Sequence, residues 1–249
     1  MPSVPPKIDW SNSSLFIDVD GTLLHIEAHP DDVRADQQLI DRLEGIKRSL
    51  DGAFALVSGR PITELDRIFA PAQFTAIGAH GAEHRGADGQ VHRESGAVLP
   101  DAVLEKVSGF VGTRQGLLVE IKNHGLALHY RNAPKLEQSC RALMQSVAGT
   151  LEEDFRLIEG KMVLELTAHG HNKGEAIRAM LGREPFAGRR PVFVGDDVTD
   201  EDGFREVNRQ AGVSVKVGST EATEARYVIE DVGSVHRWLL EIISTVDTG

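Results

Sequence analysis

Three short apolar runs each lead directly into a residue able to do chemistry, and this recurrence limits the possible folds more than any other feature. Leu15, Phe16 and Ile17 run into Asp18, Phe54 to Val57 run into Ser58, and Val192, Phe193 and Val194 run into Gly195 and Asp196. A run without polar alternation fits a strand buried on both faces, the kind found in parallel sheets covered by helices. The chain between the runs supplies helices. Leu39, Leu43, Ile46 and Leu50 form a helical stripe within residues 33–50, closed by the turn pair Asp51 and Gly52. Pro61 is well placed to start the next helix. Phe74 to Ile77, Val213 to Val217 and Tyr227 to Ile229 read as further strands, and Val235, Trp238, Leu239 and Ile242 mark a C-terminal helix. The expected fold is α/β, with a mostly parallel, doubly wound sheet.

Residues 87–166 follow another pattern. Gly116 to Lys122 and Leu126 to Arg131 flank the turn residues Asn123, His124 and Gly125, a hairpin signature. Leu136, Cys140, Leu143 and Val147 mark a helix, and Lys161 to Leu166 reads as another strand. The sequence therefore predicts an α+β module with an antiparallel sheet at 87–166, inserted into a core made of 1–86 and 167–249.

Composition narrows the function. A formal net charge of −11 over 249 residues disfavours nucleic acid and anionic membrane surfaces as partners. The first ten residues lack the apolar centre of a signal peptide, and no run is long enough to span a bilayer. One cysteine, Cys140, allows no disulfide framework. The reading is a cytoplasmic protein acting on a small molecule, with a monomer as the working expectation.

In open α/β sheets ligands bind beyond the carboxyl ends of the strands. There the fold would gather Asp18, Ser58 and Asp196, together with Asp197 and Asp200 from the stretch Gly195-Asp-Asp-Val-Thr-Asp200. Two carboxylates about 4 Å apart repel by roughly 4 kcal/mol at an effective dielectric near 20, so such a cluster calls for a cation. An all-oxygen set favours Mg²⁺. Asp18 suits a nucleophile toward phosphorus, and Asp20, one strand period on, suits the general acid and base. Ser58, with the backbone N–H groups of Gly59 and Arg60, can hold phosphate oxygens. Lys173, at a helix start where its charge is otherwise unhelpful, can supply the positive charge that phosphoryl transfer needs. Taken singly, each element is commonplace: an Asp-x-Asp pair is usually a turn, and Asp-Asp-x-x-Asp can be a helix cap. The ordered combination is what points to chemistry.

Asp18-Val19-Asp20-Gly21-Thr22, Ser58, Lys173 and Gly195-Asp196-Asp197-x-x-Asp200, in this order, resemble the four motifs of the haloacid dehalogenase (HAD) superfamily of phosphatases. The resemblance implies a Rossmann-like core and Mg²⁺-dependent transfer through an aspartyl-phosphate. It also implies that Asp18 and Asp196 hold the metal with the backbone carbonyl of Asp20; whether Asp197 or Asp200 joins them is left open.

In the inserted module, period-two alternation puts Glu120, Lys122, His129, Arg131, Lys161 and Glu165 on one face. A sheet's outer face is often merely charged and solvated. The alternative is a polyhydroxyl site on a lid over a sugar phosphate, since mixed-sign groups both donate to and accept from hydroxyls. Glu120-x-Lys122, His129-Tyr130-Arg131 and Gly160-Lys161-x-x-x-Glu165, with the stretch Gly78 to Arg85, are similar to motifs of trehalose-6-phosphate phosphatases, over nearly the whole chain. That resemblance implies hydrolysis of trehalose 6-phosphate, the last step of trehalose biosynthesis. Glu120, Lys122, Arg131, Lys161 and Glu165 would contact the substrate, and His80, Glu83 and His129 are secondary candidates. Val19 departs from the aromatic more usual there. Phosphatases of other sugar phosphates (sucrose phosphate, mannosyl-phosphoglycerate) are the nearest rivals. A non-catalytic sensor or phosphate-carrying receiver is a rival from another class, and Asp20 argues against it.

Overall fold

A computed structural model describes residues 4–27, 29–93, 97–122, 125–151, 153–170, 172–218 and 222–246. The chain forms two compact units, residues 1–93 with 172–249, and residues 94–171.

The first unit begins with β1 (Ser13–Asp18), α1 (Gln37–Ser49), β2 (Phe54–Val57), α2 (Ile62–Ile68), β3 (Ala76–Gly78), β4 (Glu83–Arg85) and β5 (Val91–Arg93). The second unit holds α3 (Asp101–Gly112), β6 (Leu118–Lys122), β7 (Gly125–His129), α4 (Glu137–Ala148), β8 (Phe155–Gly160) and β9 (Val163–Ala168). The chain then returns to the first unit with α5 (Lys173–Leu181), β10 (Arg190–Gly195), α6 (Glu201–Arg209), β11 (Val213–Val217), β12 (Tyr227–Ile229) and α7 (Val232–Val246).

The large sheet runs β12-β11-β10-β1-β2-β3-β4-β5 and is parallel from β12 to β3. β1 and β2 are buried along their whole length, and β10 is buried after its first residue, as their apolar runs require. Ile17 pairs with Leu56 on one side and Val194 on the other, so β1, β2 and β10 end side by side. The chain leaves β1 toward β2 and later fills the other side with β10. That reversal makes the gap between β1 and β10 the switch point, where such sheets open a crevice.

Local chemistry adjusts the predicted elements. The first helix starts at Gln37 rather than in the region of Val33, because Asp36 caps it by accepting from Leu39 N (2.7 Å). Residues 83–85 and 91–93 form strands that pair antiparallel with the edge of the large sheet. The units therefore part at 93/94 and 171/172, a few residues beyond the boundaries at 86/87 and 166/167 read from the sequence.

The second unit is a four-stranded antiparallel sheet, β6-β7-β9-β8, with its own apolar core. Cys140 is buried there on α4. β6 ends at Lys122 and β7 starts at Gly125; the turn residues Asn123 and His124 lie outside the described residues. Lys161 and Met162 form the turn before β9 rather than the start of a strand, and Met162 has a positive φ of 63°. β8 was not apparent as a strand because Arg156 and Glu159 interrupt its apolar pattern; pairing with β9 along its whole length forms it. Among the described residues no helix is long and apolar enough to cross a membrane.

Candidate active site

The end of β1 delivers Asp18, and the turn after β10 delivers Asp196. Asp200 closes a 3-10 turn, Val198–Asp200, that follows at once. Their carboxylate oxygens lie within 4.8 Å of one another, and all three residues are buried. Two glycines make this approach possible. A side chain on Gly21, whose φ is +86°, would strike the Asp196 carboxylate, and one on Gly195 would strike Asp200. Thr22 Oγ1, fully buried, donates to Asp196 Oδ1 (3.4 Å).

Lys173 is the first residue of α5, whose N-cap Asn172 accepts from Glu175 N (2.9 Å). Its ammonium is only 3 % exposed and donates to Asp18 Oδ1 (2.8 Å) and Asp200 Oδ1 (2.6 Å). Asp200 Oδ2 accepts from the backbone N–H groups of Asp196 and Asp197 (2.9 Å each). Asp197 itself turns outward and caps the 3-10 turn through Val198 N (2.8 Å).

Among the described residues, Asp18, Asp196 and Asp200 crowd three carboxylates together, and the Lys173 ammonium is bonded to two of them. Burial, with Asp200 and Asp196 adding to it, pushes the Asp18 carboxyl well above the usual carboxylate range against the pull of Lys173. For Lys173 burial acts the other way, but Asp18 and Asp200 outweigh it and the ammonium is held charged. A buried, all-oxygen, over-negative triad is compatible with a bound metal ion.

Asp18 pairs in register with Val57, so Ser58 emerges beside it. Ser58 Oγ accepts from Arg60 N (3.0 Å), which leaves its hydroxyl hydrogen to donate elsewhere. Arg60 turns its guanidinium onto Asp20, with Nε to Oδ2 at 2.7 Å and Nη2 to Oδ1 at 2.8 Å. Gly59 is pressed against the His80 ring, 2.6 Å from where a Cβ would stand. Ala79 and His80 both adopt left-handed backbone (φ 48° and 56°), a strained pair that holds this ring in place.

Glu83, a secondary candidate for substrate contact, lies on β4. Its carboxylate is buried and engaged inside the fold, accepting from Ile62 N at the start of α2 (2.8 Å) and from Arg93 Nε (3.0 Å). Thr22 and the space cleared by Gly21 belong to the site without having a role legible from spacing; the Gly-Thr pair following Asp20 is their signal in the sequence.

On the second unit, Glu120, Ala127 and Glu165 stand side by side across β6, β7 and β9. Lys122 Nζ donates to Glu165 Oε1 (2.7 Å) and lies 4.0 Å from Glu120, which also accepts from His129 Nε2 (3.1 Å). Burial opposes ionisation of Glu120, but His129 and Lys122 outweigh it and hold its carboxyl below the ordinary range. Arg131 Nη2 donates to the Lys161 carbonyl (3.2 Å), which ties the two remaining candidates together. The six polar residues thus form two connected groups, one on the sheet (Glu120, Lys122, His129, Glu165) and one in the turns after β7 and before β9 (Arg131, Lys161).

A sequence model of the trehalose-phosphatase family matches residues 16–232. The chain belongs to the trehalose-phosphatase family. A trehalose-6-phosphate phosphatase of Escherichia coli is 40 % identical over 248 residues, which covers 98 % of this chain and 89 % of that protein. Among solved structures, a trehalose-6-phosphate phosphatase related protein is similar at a TM-score of 0.78 and 28 % identity, covering 95 % of this chain and 99 % of that one. A phosphatase of the HAD superfamily from Bacteroides thetaiotaomicron shares the fold at a TM-score of 0.59 and 17 % identity, over 96 % of this chain and 97 % of that one. The fold of this trehalose-phosphatase family member is the HAD fold, with a mostly parallel sheet and a separate antiparallel one.

Proposed function

We propose that the protein hydrolyses trehalose 6-phosphate to trehalose and phosphate, through an aspartyl-phosphate on Asp18 and with Mg²⁺ as cofactor. The observation that carries the chemistry is the buried triad Asp18, Asp196 and Asp200 with Lys173 set between Asp18 and Asp200. Family membership and the similarity to the Escherichia coli enzyme support the substrate.

Asp18 and Asp196 are the residues that would hold Mg²⁺, along with the Asp20 carbonyl; Asp200, whose oxygens serve Lys173 and two backbone N–H groups, would orient the lysine. When bound, Mg²⁺ supplies neutralisation of the acids and of the phosphoryl oxygens. An Asp18 oxygen attacks phosphorus, the bond from phosphorus to the sugar oxygen breaks, and Asp20 gives that oxygen a proton. Water then attacks the aspartyl-phosphate while Asp20 takes its proton, which releases phosphate and restores Asp18. Lys173 and the Ser58 hydroxyl hold the equatorial oxygens as charge shifts.

Glu120, Lys122, Arg131, Lys161 and Glu165 are assigned to the disaccharide phosphate, with His129 fixing Glu120. Lys122→Ala and Glu165→Ala should each raise KM for trehalose 6-phosphate roughly 10- to 100-fold, the scale of a hydrogen bond to a charged group. Turnover of p-nitrophenyl phosphate, which carries no disaccharide, should stay near the wild-type rate. Equal losses on both substrates would remove these residues from sugar recognition. Cys140, buried and the chain's single cysteine, supports a reducing, cytoplasmic setting.

A further inference from the structure

We infer that Arg60 is the positioning residue for Asp20: it holds the carboxylate in the orientation needed for proton transfer and does not serve as an anchor for substrate phosphate. This rests on the reading of Asp20 as the proton-transfer group.

Asp20 lies two residues past β1, bridged to Leu24 across the turn 21–23, and its side chain is 31 % exposed. Burial alone does not fix a carboxylate in such a place. Among the described residues its carboxylate is hydrogen-bonded by Arg60 alone, through both oxygens (2.7 and 2.8 Å). A planar fork meeting a carboxylate in this way fixes both its distance and its plane.

Arg60 is itself held from several sides. Its Nη1 donates to Glu64 Oε2 (2.8 Å), one turn on, and to the Pro30 carbonyl (3.1 Å). Its backbone N–H donates to Ser58 Oγ (3.0 Å), and its carbonyl accepts from Ala79 N (2.8 Å), one of the two left-handed residues. Asp20 is thereby tied to α2 and to the 79–80 turn, and its position no longer depends on the β1 turn alone.

Donor arithmetic separates positioning from substrate binding. A guanidinium has five N–H groups. Asp20, Glu64 and Pro30 occupy four of them, one on Nε, two on Nη1 and one on Nη2. A single N–H remains, too few for two-point capture of a phosphate. Glu64 also offsets much of the positive charge that a phosphate would meet. Lysine, a point donor, cannot reproduce the fork.

The test is a double-mutant cycle on the full chain with Mg²⁺, using trehalose 6-phosphate and p-nitrophenyl phosphate. Arg60→Lys should lower kcat roughly 10- to 100-fold, the cost of a misplaced catalytic group, with KM within about threefold of wild type. Asp20→Asn should be slow by itself, and the double variant should be no slower than Asp20→Asn, because Arg60 acts through that carboxylate. Glu64→Gln, which loosens Arg60 without touching Asp20, should fall between wild type and Arg60→Lys, so the proposal stays testable if the arginine variant is unstable. Multiplying losses in the double variant, or a raised KM with kcat intact, would overturn the positioning role and make Arg60 a direct phosphate ligand. An Asp20→Asn enzyme at the wild-type rate would instead overturn the role assigned to Asp20, and that result appears in the single variant alone.

Discussion

Asp18→Asn is expected to abolish phosphate release, by about 10⁴-fold or more, the order lost when one member of a catalytic unit is removed. The amide is nearly isosteric, and its oxygen can still accept from Lys173 Nζ, which lies 2.8 Å from Asp18 Oδ1. It cannot form an acyl-phosphate. The fold should tolerate the change, because one of three crowded negative charges disappears while Lys173 keeps Asp200 at 2.6 Å. Melting should therefore stay within about 2–4 °C of wild type, the equivalent of about 1 kcal/mol for a chain of this size. Calorimetry and a phosphate-release assay on the same sample separate the two effects. Substantial residual turnover would move the nucleophile elsewhere. A collapsed fold would make Asp18 a structural residue.

Lys173→Met should have the largest effect on stability. The substitution roughly conserves volume, so packing is not its main consequence. It removes an ammonium bonded to both Asp18 and Asp200, which are buried. Breaking a buried ion pair from one side costs roughly 3–5 kcal/mol, because the partner charge is left uncompensated. At about 2–4 °C per kcal/mol, the first unit should melt roughly 6–20 °C lower. Mg²⁺ should recover more of the melting temperature in this variant than it adds to wild type, since the cation then supplies charge the lysine no longer does. Activity should be lost as well, with the charge on the transferring phosphoryl group unopposed on that side. A variant melting within a couple of degrees of wild type would show that the acids do not depend on this lysine.

These predictions follow from features that were plain in the sequence and from others that were not. β1, β2 and β10 were legible because burial on both faces demands unbroken apolar runs, and each run marks the place where Asp18, Ser58 or Asp196 emerges. β4 and β5 were not, because Glu83, His84 and Arg85, and then His92 and Arg93, read as a polar loop; pairing at the sheet edge makes them strands. β8 was missed for the same reason. The four-residue spacing between Asp196 and Asp200 was visible, but the division of labour within it was not. That depends on Asp200 turning inward to Lys173 while Asp197 caps Val198. Periodicity does put Glu120 and Glu165 on one face, yet only the register across β7 brings them next to each other. The Arg60–Asp20 pair spans forty positions and two strand ends, so spacing alone carries no trace of it.

A Mg²⁺-dependent phosphatase selective for trehalose 6-phosphate should show both properties in one assay. The measurement is phosphate release from purified protein over a panel of phosphosugars, each assayed with Mg²⁺ and with a chelator. Trehalose 6-phosphate should turn over fast, glucose 6-phosphate and sucrose phosphate slowly, and none of them in the chelator. Faster turnover of another sugar phosphate, or full activity without divalent metal, would contradict the proposed function.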